Sequence, residues 1–361
     1  MKRVIGPDVR AAASTWLEAR LYVATAFVVT DAVVDRLEPP PAFAPVNDGL
    51  LAWDGRWYQQ IAEVGYADAD DPAVRFFPLW PLLGRAVGWI TGDPGIALII
   101  LANALALVAG VLLYRLVMLE THDTRAARRA VRILALFPPA FVLVLAYSEA
   151  LFLVLALAMV LSLREHRWTL SALLGYLAGL TRPVASLLAL SAAAVVWRSG
   201  AQRNPAAVLS IVAAPVGSLT FLVWSAFALD DWSAPLDRQK ELRGQITEPV
   251  SRLIRAFSDA IQGDEGEAFH LIAAVIIIAL TVVAVRSLST DLWAYTVPST
   301  VLLISAENLN SMERYALAAF PLVIAAAIVS RRPFLDRWLP TASAVGMMAV
   351  SILMLNGVYV P

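Results

Sequence analysis

The chain has 361 residues, 59% of them hydrophobic and 16% charged, with a formal net charge of −1. A soluble domain carries about 25% charged residues, so these values exclude an ordinary soluble globule and indicate an integral membrane protein. No Cys is present, which removes disulfides, thiolate nucleophiles and Cys-ligated metals, and His122, His166 and His270 stand at no ligand spacing.

Apolar runs at 96–119, 206–229, 269–285 and 339–355 approach or exceed the roughly 18 residues that cross a bilayer, and their continuity reads as helix rather than as β-barrel strand. The pattern predicts an all-α polytopic bundle of about eleven transmembrane helices in a single domain over 1–361. The expected spans are 15–35, 96–119, 131–147, 149–163, 168–181, 184–198, 206–229, 268–286, 289–306, 314–330 and 338–357. The basic start "MKRVIGPDVR" has no small-residue cleavage pattern after its apolar stretch, so the first span is expected to be uncleaved. A first outer loop over 36–95 is expected to carry amphipathic, interfacial helices. Within it, "FFPLWPLLGRAVGWITG" (76–92) holds Pro78, Pro81 and Arg85 and reads as interfacial or re-entrant. A second large outer loop covers 230–267, where "VSRLIRAFSDAI" predicts a surface helix.

An N-terminus in the cytoplasm places "THDTRAARRAVR", "REHR", "RSGAQRN" and "RRPFLDR" inside, which satisfies the positive-inside rule. A spanning 76–92 would turn the first of these outward. The polar segments 36–75, "AYSEA", "TRPV", 230–267 and "AENLNSMER" then share the outer face. Short spans broken at Pro138, Pro139 and Pro183 are tolerated at membrane depth only where they line protein or a wet cavity. A polar cleft open to the outer face is the expected result.

Several residues of that face are chemical candidates. Asp54 follows Trp53 at the head of an amphipathic stretch with Trp57 and Tyr58. It reads either as a helix cap among interfacial aromatics or as a general base for an acceptor hydroxyl. Asp31 and Asp35 share a face near the end of the first span, where acids are costly and Asp31 is the deeper. Tyr147, Ser148 and Glu149 form a polar turn between two apolar stretches, either solvated or functional. Arg182, isolated in "GLTRPVA", reads as a phosphate ligand or as the partner of Glu149 or Glu313. Arg75 and Arg314 are similar cations. No P-loop, HExxH or nucleophile elbow stands in a supporting context. The lack of a detectable internal repeat weighs against a secondary transporter.

The motifs "WDGRWYQQIAEVGY", "RFFPLWPLL", "LFPPAFVLVLAYSEALF", "GLTRPVASLL" and "MERYALAAFPL" together resemble the PIG-V family of mannosyltransferases and its bacterial relatives, over about Leu50 to Leu322. The resemblance implies a GT-C type glycosyltransferase in the plasma membrane. Its donor would be polyprenyl-phosphate-mannose, used on the outer face without a nucleotide sugar, a cofactor or an obligatory metal. By resemblance Asp54 is the catalytic base and Arg182 matches the Arg of the family's "TRP" element. Tyr147, Ser148 and Glu149 match its Tyr-Ser-Glu turn. Donor-phosphate binding is expected at Arg182, Arg75 and Arg314, and substrate contact at Trp53, Trp57, Tyr58, Tyr147, Ser148, Glu149, Asp31 and Glu313. Gly55-Arg56-Trp57 departs from the Ser and His-Phe that eukaryotic members often carry, which bears on the acceptor. That acceptor is expected to be a lipid-linked or envelope glycan. Membrane lipids are expected partners and nucleic acid is not. A transporter or flippase for a lipid-linked glycan is the alternative function.

Overall fold

The computed structural model describes residues 6–34 and 45–361, so Asp35 and the opening of the expected loop 36–95 lie outside the described residues. Among the described residues sixteen α-helices run in chain order. They are α1 (Pro7–Val34), α2 (Asp54–Val64), α3 (Leu79–Thr91), α4 (Pro94–Thr121), α5 (Thr124–Leu136), α6 (Glu149–Arg164), α7 (Trp168–Gly179) and α8 (Leu188–Arg198). There follow α9 (Pro205–Ala228), α10 (Ala234–Arg243), α11 (Pro249–Ile261), α12 (Glu265–Ser287), α13 (Thr290–Ile304), α14 (Met312–Tyr315), α15 (Pro321–Val329) and α16 (Pro333–Leu355). No strand occurs among the described residues, only one isolated bridge between Ile246 and Ala306. Among the described residues four helices are long and apolar enough to cross a membrane: α4, α9, α16, and α12 from Gly266 onward.

Helix ends follow local chemistry. The Asp93 carboxylate accepts from the Ile96 N–H at 2.8 Å, Pro94 opens α4, and His122 closes it in a left-handed conformation at φ 51°. The expected span 131–147 is not one helix. Asp123 caps a helix that starts earlier, at Thr124, and this α5 stops at Leu136 because Phe137 is extended ahead of Pro138-Pro139. Proline removes the N–H that the next turn needs and biases the preceding residue away from the helical region. The Arg-rich stretch expected as a loop is therefore an amphipathic helix, with Ala126, Ala127, Ala130, Val131 and Leu134 buried. Likewise 314–330 divides into α14 and α15. The stretch 76–92 contains the 13-residue helix α3, about 20 Å long against a hydrocarbon core of about 30 Å.

The chain divides into two compact units. The first comprises Met1–Glu63, Trp80–Leu157 and Ala326–Pro361. There α1 packs on α4, α5 and α16, and α16 packs on the 3-10 turn Pro138–Leu143. Gly346 admits that turn, since a Cβ on it would stand 3.0 Å from Pro138 Cγ. The carbonyls freed where the turn unwinds are caught by side chains. Arg20 donates to Leu143 O at 2.8 Å and Asn103 to Val144 O at 2.9 Å, while Arg20 Nε also donates to Asn103 Oδ1. Such substitutes are what irregular backbone in an apolar setting requires.

The second unit comprises Val64–Leu79 and Ala158–Ala325. In it α7 and α9 meet backbone to backbone at Gly179 and Gly217. A Cβ on Gly217 would fall 2.1 Å from Tyr176 O, a position only glycine permits. Tyr66 and Phe77 pack on Phe221 with ring centroids at 5.3 and 4.9 Å, and Leu79 N–H donates to Leu180 O. The segment 230–267 forms α10 and α11. Helix α11 buries Arg252 and Ala256 and exposes Val250, Ile254, Phe257 and Ile261. Arg252 donates to both Glu267 oxygens, at 2.7 and 3.0 Å, and to Glu307 O at 2.7 Å. Backbone bonds from Thr247 N to Ser305 O, Glu307 N to Gln245 O and Asn308 N to Arg243 O tie the end of α10 to the strand-like approach to α14.

Candidate functional site

In the first unit the Trp-Asp and Tyr-Ser-Glu words pack together. Trp53 turns the chain into α2 with a left-handed φ of 59°, rare for a bulky residue. Its indole N–H donates to Met354 O at 3.2 Å. Asp54 is the first residue of α2, half-buried, and its backbone N–H donates to the Tyr147 hydroxyl at 3.3 Å. Tyr58, one turn later, is buried and its hydroxyl meets Ser148 Oγ at 2.8 Å. Ala146 N–H donates to Leu50 O, and Ala146 O accepts from Trp80 Nε1 at 3.1 Å. Gly55 of α2 is buried against this turn. Glu149 begins α6 and is buried. Trp57 is half-buried on α2, whereas Asp31 is exposed near the end of α1. At the far end of α2, Arg85 donates to Ala62 O at 2.6 Å and Ile61 O at 3.2 Å, satisfying carbonyls the helix leaves open.

The second unit holds a cationic cluster. The Tyr315 ring has three guanidinium carbons near its centroid: Arg243 at 4.6 Å, Arg314 at 5.1 Å and Arg182 at 5.2 Å. All lie within the roughly 6 Å range of a cation–π contact. Arg314 and Arg182 are buried, at 2% and 9% exposure. Arg182 stands where α7 ends and the 3-10 turn Pro183–Leu187 begins, with its backbone extended. Burial pushes the Arg243 guanidinium below its ordinary value, and the nearby charges of Arg314 and Arg182 push the same way against Glu313 and Tyr315. Its Nε and Nη2 are buried with no hydrogen-bond partner among the described residues. An unpaired buried donor is costly, and more so on a charged group. A ligand that accepts from these N–H groups relieves that cost together with the repulsion.

Of the expected phosphate ligands, Arg182 and Arg314 come together. Arg75 is half-buried with its guanidinium 4.6 Å over Phe76, and it is not among the three on Tyr315. Glu313 meets His270 rather than an arginine: its Oε1 lies 2.7 Å from His270 Nδ1. Sequence reasoning missed Arg243 and His270. The first sits in the charged stretch "DRQKELRG" and the second stands alone at the head of an apolar run.

Residues 44–201 match the family model described as mannosyltransferase (PIG-V). The matched stretch holds Asp54, Tyr147, Ser148, Glu149 and Arg182. It supports mannosyl transfer at a membrane. No curated protein matches the chain.

Proposed function

We propose that the chain is a plasma-membrane mannosyltransferase that moves a mannosyl residue from polyprenyl-phosphate-mannose to a lipid-linked or envelope glycan. It does so on the non-cytoplasmic face of a GT-C type bundle whose N-terminus is cytoplasmic. The observation that carries the reading is the convergence of Arg182, Arg243 and Arg314 on one tyrosine, with open donors on Arg243. A lipid phosphate is an anion whose charge grows as it leaves, and fixed guanidiniums favour that change.

The chemistry gives these residues different roles. Arg182, Arg243 and Arg314 take the phosphate, joined by Arg75. Asp54 takes the proton of the acceptor hydroxyl as its oxygen attacks the anomeric carbon in line. The bond from that carbon to the phosphate oxygen breaks, the prenyl monophosphate leaves, and the configuration inverts. Tyr147, Ser148 and Tyr58 fix the start of α2, while Trp53, Trp57, Glu149 and Asp31 are assigned to substrate contact. The arginines supply the cation that a metal would otherwise provide, so neither a metal nor a cofactor is required.

Purified protein supplied with radiolabelled polyprenyl-phosphate-mannose and candidate acceptors should release prenyl phosphate and label an acceptor. Movement of lipid-linked glycan across vesicles without turnover would favour the flippase reading instead.

A further inference from the structure

Glu313 and Arg314 are successive residues of the four-residue helix α14, opened by Ser311 in a left-handed conformation at φ 63°. Glu313 is buried, and its Oε1 accepts from the His270 Nδ1–H at 2.7 Å, while His270 Nε2 lies 3.2 Å from Asn310 Oδ1. Its other oxygen, Oε2, is buried with no partner among the described residues. Nε and Nη2 of Arg243 are in the same condition. An open carboxylate oxygen and an open guanidinium thus stand in one cluster: Glu313 shares α14 with Tyr315, over whose ring the Arg243 guanidinium carbon lies at 4.6 Å. Bidentate carboxylate–guanidinium pairing is strong and geometrically favoured. The bond that holds Glu313 elsewhere comes from His270 on α12.

We propose that His270 is a positioning residue that holds Glu313 away from Arg243, so that the guanidinium stays open to an anionic ligand. Released from His270, Glu313 becomes an internal anion that closes the cluster against phosphate. This rests on the reading that the cluster takes a phosphate.

The test is titration of the full-length protein in detergent with a short-chain isoprenyl monophosphate, with the parent alcohol as control. Wild type should bind the phosphate and not the alcohol. His270→Ala should bind it at least about tenfold more weakly, the scale of one hydrogen bond to a charged group. His270→Asn keeps a donor near the Nδ1 position and should stay close to wild type. The double variant H270A/E313Q should recover most of the affinity, because the competing anion is gone. Melting temperatures measured alongside separate a fold defect from lost affinity, since E313Q also relieves the buried carboxylate that His270→Ala leaves unpaired. Unchanged affinity in His270→Ala, or a double variant as weak as the single, overturns this inference alone. Wild type that ignores the phosphate removes the inference and the phosphate reading together.

Discussion

The two clusters are built on opposite principles. In the first unit Asp54, Tyr58, Tyr147 and Ser148 are joined by hydrogen bonds among backbone amides and hydroxyls, and the Leu143 and Val144 carbonyls accept from Arg20 and Asn103. In the second, three cations crowd one ring while buried valences on Arg243 and Glu313 stay open. A hydrogen-bonded network rigidifies its residues, whereas an open buried donor on a charged group is costly until a ligand accepts from it. On the proposed function the first cluster orients a group and the second receives one.

Breaking the second cluster should have the larger effect. Arg243→Ala and Arg314→Ala are each expected to lower kcat/KM by about a hundredfold or more, the range for removing a fixed donor to a developing anion. Steady-state kinetics with varied donor checks this. Arg243→Lys should recover little, because an ammonium replaces neither the planar fork nor the ring contact. Loss below about threefold would mean that the cluster is structural.

Loosening the first cluster should cost less. Tyr58→Phe removes the Ser148 partner, with a net effect of about 1 kcal/mol. We expect a modestly lower melting temperature in detergent and up to about a tenfold lower kcat, with donor affinity unchanged. A change in donor affinity would contradict the division of roles. The smallest effect expected is none: EDTA should leave transfer intact, and strong inhibition would point to a metal-dependent centre.

Legibility in the sequence divides along the same line. The apolar runs gave the helical class and the four long spans α4, α9, α12 and α16. The first cluster was readable because each partner belongs to a compact polar word among apolar neighbours, Trp53-Asp54 and Tyr147-Ser148-Glu149. The second was half readable. Arg182 and Arg314 stood out by isolation, but Arg243 sits among Asp237, Arg238, Lys240 and Glu241, where one more charge looks like a solvated face. The pairing of 243–247 with 305–308 accompanies its approach to Tyr315, and such long-range pairing leaves no local signal. His270 has no ligand spacing in the sequence, because its partners Asn310 and Glu313 lie about forty residues on. The prolines marked the break in 131–147, but the capping that moves the helix start back to Thr124 had to be seen.

The central claim is that phosphate capture and proton removal belong to different residues. It is tested most directly by measuring isoprenyl-monophosphate affinity and mannosyl transfer side by side in Asp54→Asn and Arg243→Ala. Asp54→Asn should bind the phosphate like wild type while transfer falls by about 10²–10⁴-fold, the range for a general base. Arg243→Ala should lose both. An Asp54→Asn variant that transfers at the wild-type rate, or that loses phosphate affinity as far as Arg243→Ala does, would contradict it.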